Sequence, residues 1–151
     1  SPGSFHFFVF PIIAKMRNTV KERRHLDRKW FAAGCVQAAL AVALGAFGAH
    51  ALEGVLTESA RDTYVTATRY HMFHALGLFM AAWAASAGGR PRFARAAGWL
   101  FTAGIVLFSG SLYVLAPTGF SPLGAVAPIG GTCFVAGWTA LALSRRNNDK
   151  S

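Results

Sequence analysis

Negative charge is scarce in this chain. Six Asp and Glu face fifteen Lys and Arg in 151 residues, and charged residues of both signs make up only 14%. Soluble domains carry about a quarter charged residues, so an ordinary water-facing surface is already in doubt. Two cysteines cannot make a disulfide scaffold. Sixteen glycines without a three-residue period exclude collagen, and 54% hydrophobic residues exclude a disordered chain. Signatures of catalysis are missing too: no His-Glu-x-x-His, Gly-x-Ser-x-Gly, phosphate-cradling glycine loop, Cys-x-x-Cys or haem-attachment motif. No helix-turn-helix, zinc-finger or RNA-binding pattern accompanies the net charge of +9, so the charge does not point to nucleic acid.

What is present is oil-soluble sequence, with a mean hydropathy of +0.38. Four segments are free of Asp, Glu, Lys and Arg: Trp30–Leu52, Tyr70–Ala87, Ala96–Ala116 and Leu123–Leu143. Each approaches the roughly 20 residues needed to cross about 30 Å of hydrocarbon. The second is shortest and can borrow the turn Tyr64–Arg69, with Arg69 snorkelling to the headgroups. A soluble bundle would need polar outer faces, which these segments lack. The expected fold is all-α: a polytopic, antiparallel four-helix transmembrane bundle over residues 30–143. A basic extension, 1–29, precedes it, and a basic tail, 144–151, follows. Polar residues 53–63, Gly88-Gly89-Arg90-Pro91 and Pro117–Pro122 read as its loops.

Every Lys and Arg except Arg61 and Arg69 falls before the first span, between spans two and three, or in the tail. The positive-inside rule then places both termini in the cytoplasm. The same bases would attract anionic lipid headgroups. Phe5–Ile13 is apolar, but Lys15 and Arg17 follow it, whereas a signal peptide places its charges first. Residues 1–15 are therefore expected to be non-native or upstream, with a start at Met16; if native, they read as an interfacial anchor.

Polar residues cluster at one level of this bundle. His50, His71, His74, Ser109, Ser111, Tyr113, Pro128, Gly130 and Gly131 all fall in its outer half, while Gln37 is the main polar side chain of the inner half. His71 and His74 share a helical face. With His50 they could ligate a transition metal, hold haem or a quinone, relay protons or serve a transport-related role. The plainer reading is that they hydrogen-bond facing helices. Ser109 and Ser111 read as hydroxyls bonded to backbone at a helix contact. Cys35 and Cys133 read as inert packing thiols, and the glycines as sites of close backbone approach. Pro128 predicts a kink in span four and a small cavity facing His50 and His74. Trp30 and Trp99 fit an aromatic belt; Trp83 and Trp138 read as lipid-facing or packed.

Gly45-Ala46-Phe47-Gly48-Ala49-His50, Tyr70-His71-Met72-Phe73-His74-Ala75-Leu76, Gly98-Trp99-Leu100-Phe101, Leu107–Tyr113 and Pro128–Gly131 with Gly137-Trp138 resemble the YgdD-like family of small membrane proteins. Its eukaryotic members are called transmembrane protein 256. The resemblance covers about Trp30 to Leu143. It implies a four-helix integral membrane protein, in bacteria of the inner membrane, and brings no activity, cofactor or catalytic residue. The family pattern often carries Gln where this chain has His71. That argues against a three-histidine metal site and points to His50 and His74 as a hydrogen-bonded pair, with Tyr113 as a further candidate in a binding site. The expected function is non-enzymatic, with the polar cluster serving packing, a small ligand or a partner. A homo-oligomer or another membrane protein is the expected partner besides lipid.

Overall fold

The computed structural model describes residues 27–145. Among these residues all regular structure is helical. Helix α1 is Arg28–His50, α2 is Glu58–Ser86, α3 is Pro91–Thr118 and α4 is Pro122–Ser144. The start at Met16, the apolar Phe5–Ile13 and the tail beyond Arg145 lie outside the described residues.

The ends of the helices follow from local chemistry. Pro91 and Pro122 open α3 and α4, where a missing N–H costs nothing. Thr57 caps α2 by accepting the Ala60 N–H at 3.2 Å, and Glu58 complements the dipole in the first turn. The expected loop 53–63 is therefore half helix: its polar residues form the first turn and a half of α2. Gly119 ends α3 at φ +65, its N–H bonded to the Leu115 carbonyl at 2.8 Å.

Helices α1, α3 and α4 are long and apolar enough to cross a membrane. α2, the remaining expected span, falls short by composition. Its first three turns carry Glu58, Arg61, Asp62 and Arg69. Yet it is the helix that the other three all contact. Ala67, Ala75, Leu78, Ala81 and Ala82 on α2 are fully buried. α1 leans almost wholly on α2, while α3 and α4 pack on each other as well.

Glycines build these contacts mainly by seating rings. A Cβ on Gly34 would meet the Phe79 ring, on Gly48 Tyr64, on Gly77 Phe101, on Gly98 Trp30 and on Gly104 Phe134. The expected backbone-to-backbone approach occurs at Gly130, which sits against the main chain of Leu107 and Phe108. In lipid, where no hydrophobic drive joins helices, such van der Waals fit supplies the association energy.

Regular helix is interrupted in α3, not in α4. Ile105–Gly110 is π-helical, whereas α4 runs unbroken through Pro128. A wide turn adds one residue to the helical repeat and so rotates the rest of α3 relative to its first half. This turn carries Tyr113 toward α2 and presents the main chain that meets Gly130.

At the basic end, the α2–α3 turn is fastened to α4. Arg145 donates to the Ala87 and Gly88 carbonyls at 3.3 Å, and the Arg90 N–H donates to Ser144 O at 2.9 Å. Gly89, at φ +96, faces the Ser144 carbonyl so closely that a side chain has no room. Trp30 and Trp99 meet edge-on at 5.3 Å beneath the Lys29 ammonium, 4.0 Å from the Trp99 ring.

Candidate functional site: two histidines on the central helix

Residues 64, 67, 71, 74, 75 and 78 belong to the buried face of α2. Two of them are histidines, 3% and 5% exposed, a depth at which an unpaired imidazole is costly.

His74 has both nitrogens engaged. Nδ1 lies 2.7 Å from the Tyr70 carbonyl, and the Trp138 indole N–H of α4 reaches Nε2 at 3.2 Å. A carbonyl only accepts and an indole only donates, so His74 is neutral with its proton on Nδ1. The imidazole stacks flat on Phe134 of α4, with centroids 3.4 Å apart and 9° between the planes. Phe101 of α3 closes a third side at 5.6 Å.

His71 reaches the other two helices. Its Nε2 is 2.9 Å from Gln37 Oε1 on α1, and its Nδ1 is 3.3 Å from the Tyr113 hydroxyl on α3. An amide and a hydroxyl can each donate or accept, so His71 is satisfied in either tautomer. Tyr113 also sits edge-on to Tyr64 at 5.0 Å. The Tyr64 hydroxyl in turn donates to the Leu44 carbonyl of α1 at 2.9 Å. One turn of α2 thus holds α1 and α3 through His71 and α4 through His74.

Several expectations change. The His50–His74 pair does not form: His50 is exposed at the end of α1, and other partners take both nitrogens of His74. Nor are His50, His71 and His74 brought together as ligands; among the described residues no three His, Cys, Asp or Glu are grouped to hold a metal. Ser111 bonds the Phe108 carbonyl at 2.9 Å as expected, but the buried Ser109 hydroxyl has no partner among the described residues. Gln37 and Trp138, which the sequence presents as an inner polar residue and a packed or lipid-facing indole, are two of the groups that engage the histidines. Both spacing and depth conceal this, because each pairing joins residues at least 34 positions apart.

Pro128 does border a cavity, with His74 on its wall and His50 absent. An open groove of about 1040 Å³ runs between α2 and α4. Its walls include Tyr70, Phe73, Gly77 and Met80 on one side and Pro128, Thr132, Val135 and Trp138 on the other, with Phe108 and Phe134 also lining it. Among the described residues Arg69 is the only charged one that lines it. Cys35 and Cys133 are free thiols.

Apolar helices tied by buried polar groups, beside an open apolar groove, define a helical membrane protein rather than a water-soluble bundle. Residues 44–131 match the family model described as a protein of unknown function, DUF423. The chain is 48% identical over 111 residues to the UPF0382 membrane protein YwdK of Bacillus subtilis, covering 74% of this chain and 90% of that protein. It is 45% identical over 111 residues to the UPF0382 membrane protein SERP0230 of Staphylococcus epidermidis, covering 74% and 89%. For the UPF0382 membrane protein SSP2132 of Staphylococcus saprophyticus the identity is 44% over 110 residues, covering 73% and 90%. No solved structure matches. The chain belongs to this family of small membrane proteins, whose function is not established.

Proposed function

We propose that the chain is a non-enzymatic inner-membrane protein: an antiparallel four-helix transmembrane bundle with both termini in the cytoplasm. Its paired histidines serve as a structural clasp, and its α2–α4 groove serves as a lateral site for a small amphiphilic ligand. Contact order supports the antiparallel arrangement. Gly48 meets Tyr64 while Gly34 meets Phe79, and Gly104 meets Phe134 while Gly137 meets Phe101. Charge supports the orientation, since Lys29, Arg90, Arg92, Arg95 and Arg145 fall at one end and Arg61 and Arg69 at the other. α2 crosses as the shielded member, its charged first turns at the outer surface.

The observation that carries the clasp is the complete use of four imidazole nitrogens by Tyr70, Trp138, Gln37 and Tyr113. A metal or haem iron would have to displace one of these bonds. Purification in mild detergent, metal analysis and an optical spectrum test this reading. No stoichiometric metal and no Soret band are expected; either one would overturn it in favour of a metal- or haem-binding protein. Carbonate washing tests the bundle: the chain stays with the membrane, and release as a folded soluble monomer refutes it.

A further inference from the structure

The α2–α4 groove has the length and polarity of half a bilayer. From Arg69 at its mouth to Met80 at its far end, α2 rises about 16 Å at about 1.5 Å per residue. Pro128 to Trp138 on the facing wall rises about 15 Å. One leaflet of a hydrocarbon core about 30 Å thick has the same depth. The volume, about 1040 Å³, stands at the upper end of ligand sites, which run from about 300 to 1,000 Å³. Along this length the lining is mainly aromatic and aliphatic, and its sole charge among the described residues, the exposed Arg69, stands at the end where a headgroup would lie. Among the described residues no carboxylate or carbonyl engages that guanidinium.

The opposite end differs. A smaller depression of about 260 Å³, lined in part by Met80, Trp83, Trp138 and Arg145, adjoins the groove at Met80 and Trp138. Arg145 is already bonded to two carbonyls and lies 4.9 Å from the Trp83 ring centre. Among the described residues that line the groove and the adjoining depression, the available cation is therefore Arg69, beside the larger cavity.

We propose that the groove holds one anionic phospholipid of the outer leaflet, its phosphate on Arg69 and an acyl chain along Phe73, Gly77 and Met80 against Thr132 and Val135. This deepens the amphiphile-site reading above and rests on it. Guanidinium matches phosphate in charge and in planar donor geometry. Lipid packed on a smooth helix face exchanges freely, whereas a chain sunk between two helices with its headgroup paired is retained.

The test is native mass spectrometry of the full chain from micelles supplied with phosphatidylglycerol or phosphatidylcholine of identical acyl chains. The wild type retains one phosphatidylglycerol, preferred about tenfold over phosphatidylcholine: both offer Arg69 a phosphate, but choline cancels the net negative charge, so the preference reports the charge. Arg69→Gln abolishes the preference. Arg61→Gln, the same charge loss at an exposed site outside the groove, keeps it. Thr132→Trp fills the groove and loses both lipids; because the Thr132 hydroxyl bonds only its own helix, the fold is retained. Equal retention of the two lipids by the wild type would overturn the proposal. So would equal effects of Arg61→Gln and Arg69→Gln, lipid retention by Thr132→Trp, or a second copy of the chain in place of lipid. A chain that carbonate releases removes the bundle and this proposal together. A chain that carbonate leaves in the membrane, with no lipid preference, removes this proposal alone.

Discussion

Replacing His74 separates the two forces that the clasp combines. His74→Ala removes the ring stacked on Phe134 and orphans the Trp138 N–H. Aromatic pairs contribute about 0.5–1.5 kcal/mol beyond area. A hydrogen bond between transmembrane helices contributes about 0.6 kcal/mol on average and at most about 1.7. The space left among Phe101, Phe134 and Trp138 adds a cavity cost, bringing the expected loss to about 2–4 kcal/mol. His74→Phe keeps the stack and fills the space. Tyr70 O still accepts its helical N–H, and only the Trp138 N–H loses its acceptor. That loss is about 1 kcal/mol. His71→Ala removes the hydrogen bonds to Gln37 and Tyr113, so the cost is about 1–2 kcal/mol. Unfolding by SDS in mixed micelles, followed by tryptophan fluorescence, measures all three. The expected order of damage is His74→Ala, then His71→Ala, then His74→Phe. If His74→Phe proves as damaging as His74→Ala, stacking is not what the ring contributes. If His71→Ala exceeds His74→Ala, the assignment of the main clasp to α4 is wrong.

The same contacts set three further outcomes. Gly130→Ala places a Cβ against the backbone of Leu107 and Phe108 and destabilises by about 1–3 kcal/mol in that assay, whereas the neighbouring Gly131→Ala, with its nearest atom at 3.8 Å, changes stability by less than about 0.5 kcal/mol. His71→Gln, whose amide both donates and accepts, stays within about 1 kcal/mol of wild type, while His71→Leu loses about 1–2 kcal/mol by stranding Gln37. For topology, a cytoplasm-sensitive reporter fused after Lys150 is active and the same reporter inserted at Gly54 is silent; the opposite pattern refutes the orientation.

The apolar helices are legible in the sequence because lipid imposes a simple rule: a length of uncharged residues bounded by Arg, Pro and Gly. Pro91, Pro122 and Gly119 mark ends that the structure confirms. The first turns of α2 escape that rule because their charges resemble a loop, although Thr57 and Glu58 form a helix start. Nothing in Ile105–Gly110 announces a π turn; it arises where the main chain of α3 meets Gly130, a tertiary contact with no local signal. Pro128 points to α4 instead. Its cavity is present, but its helix is unbroken, and the imidazole beside it is bonded to an indole.

The least apolar helix is also the most enclosed, and this inversion explains the polar cluster. A helix facing lipid gains nothing from histidine or threonine. A helix touched by three others can satisfy such groups on every side, and each satisfied group selects one register for one neighbour. His71 accepts only an α1 that brings Gln37 and an α3 whose wide turn brings Tyr113. His74 accepts only an α4 that brings Phe134 and Trp138 together. Because helices in lipid lack a hydrophobic force to choose among sliding arrangements, these bonds add more to specificity than to strength. The groove results from that choice: the α4 register that serves His74 holds Thr132 and Val135 away from Phe73 and Met80, and leaves Arg69 above the gap.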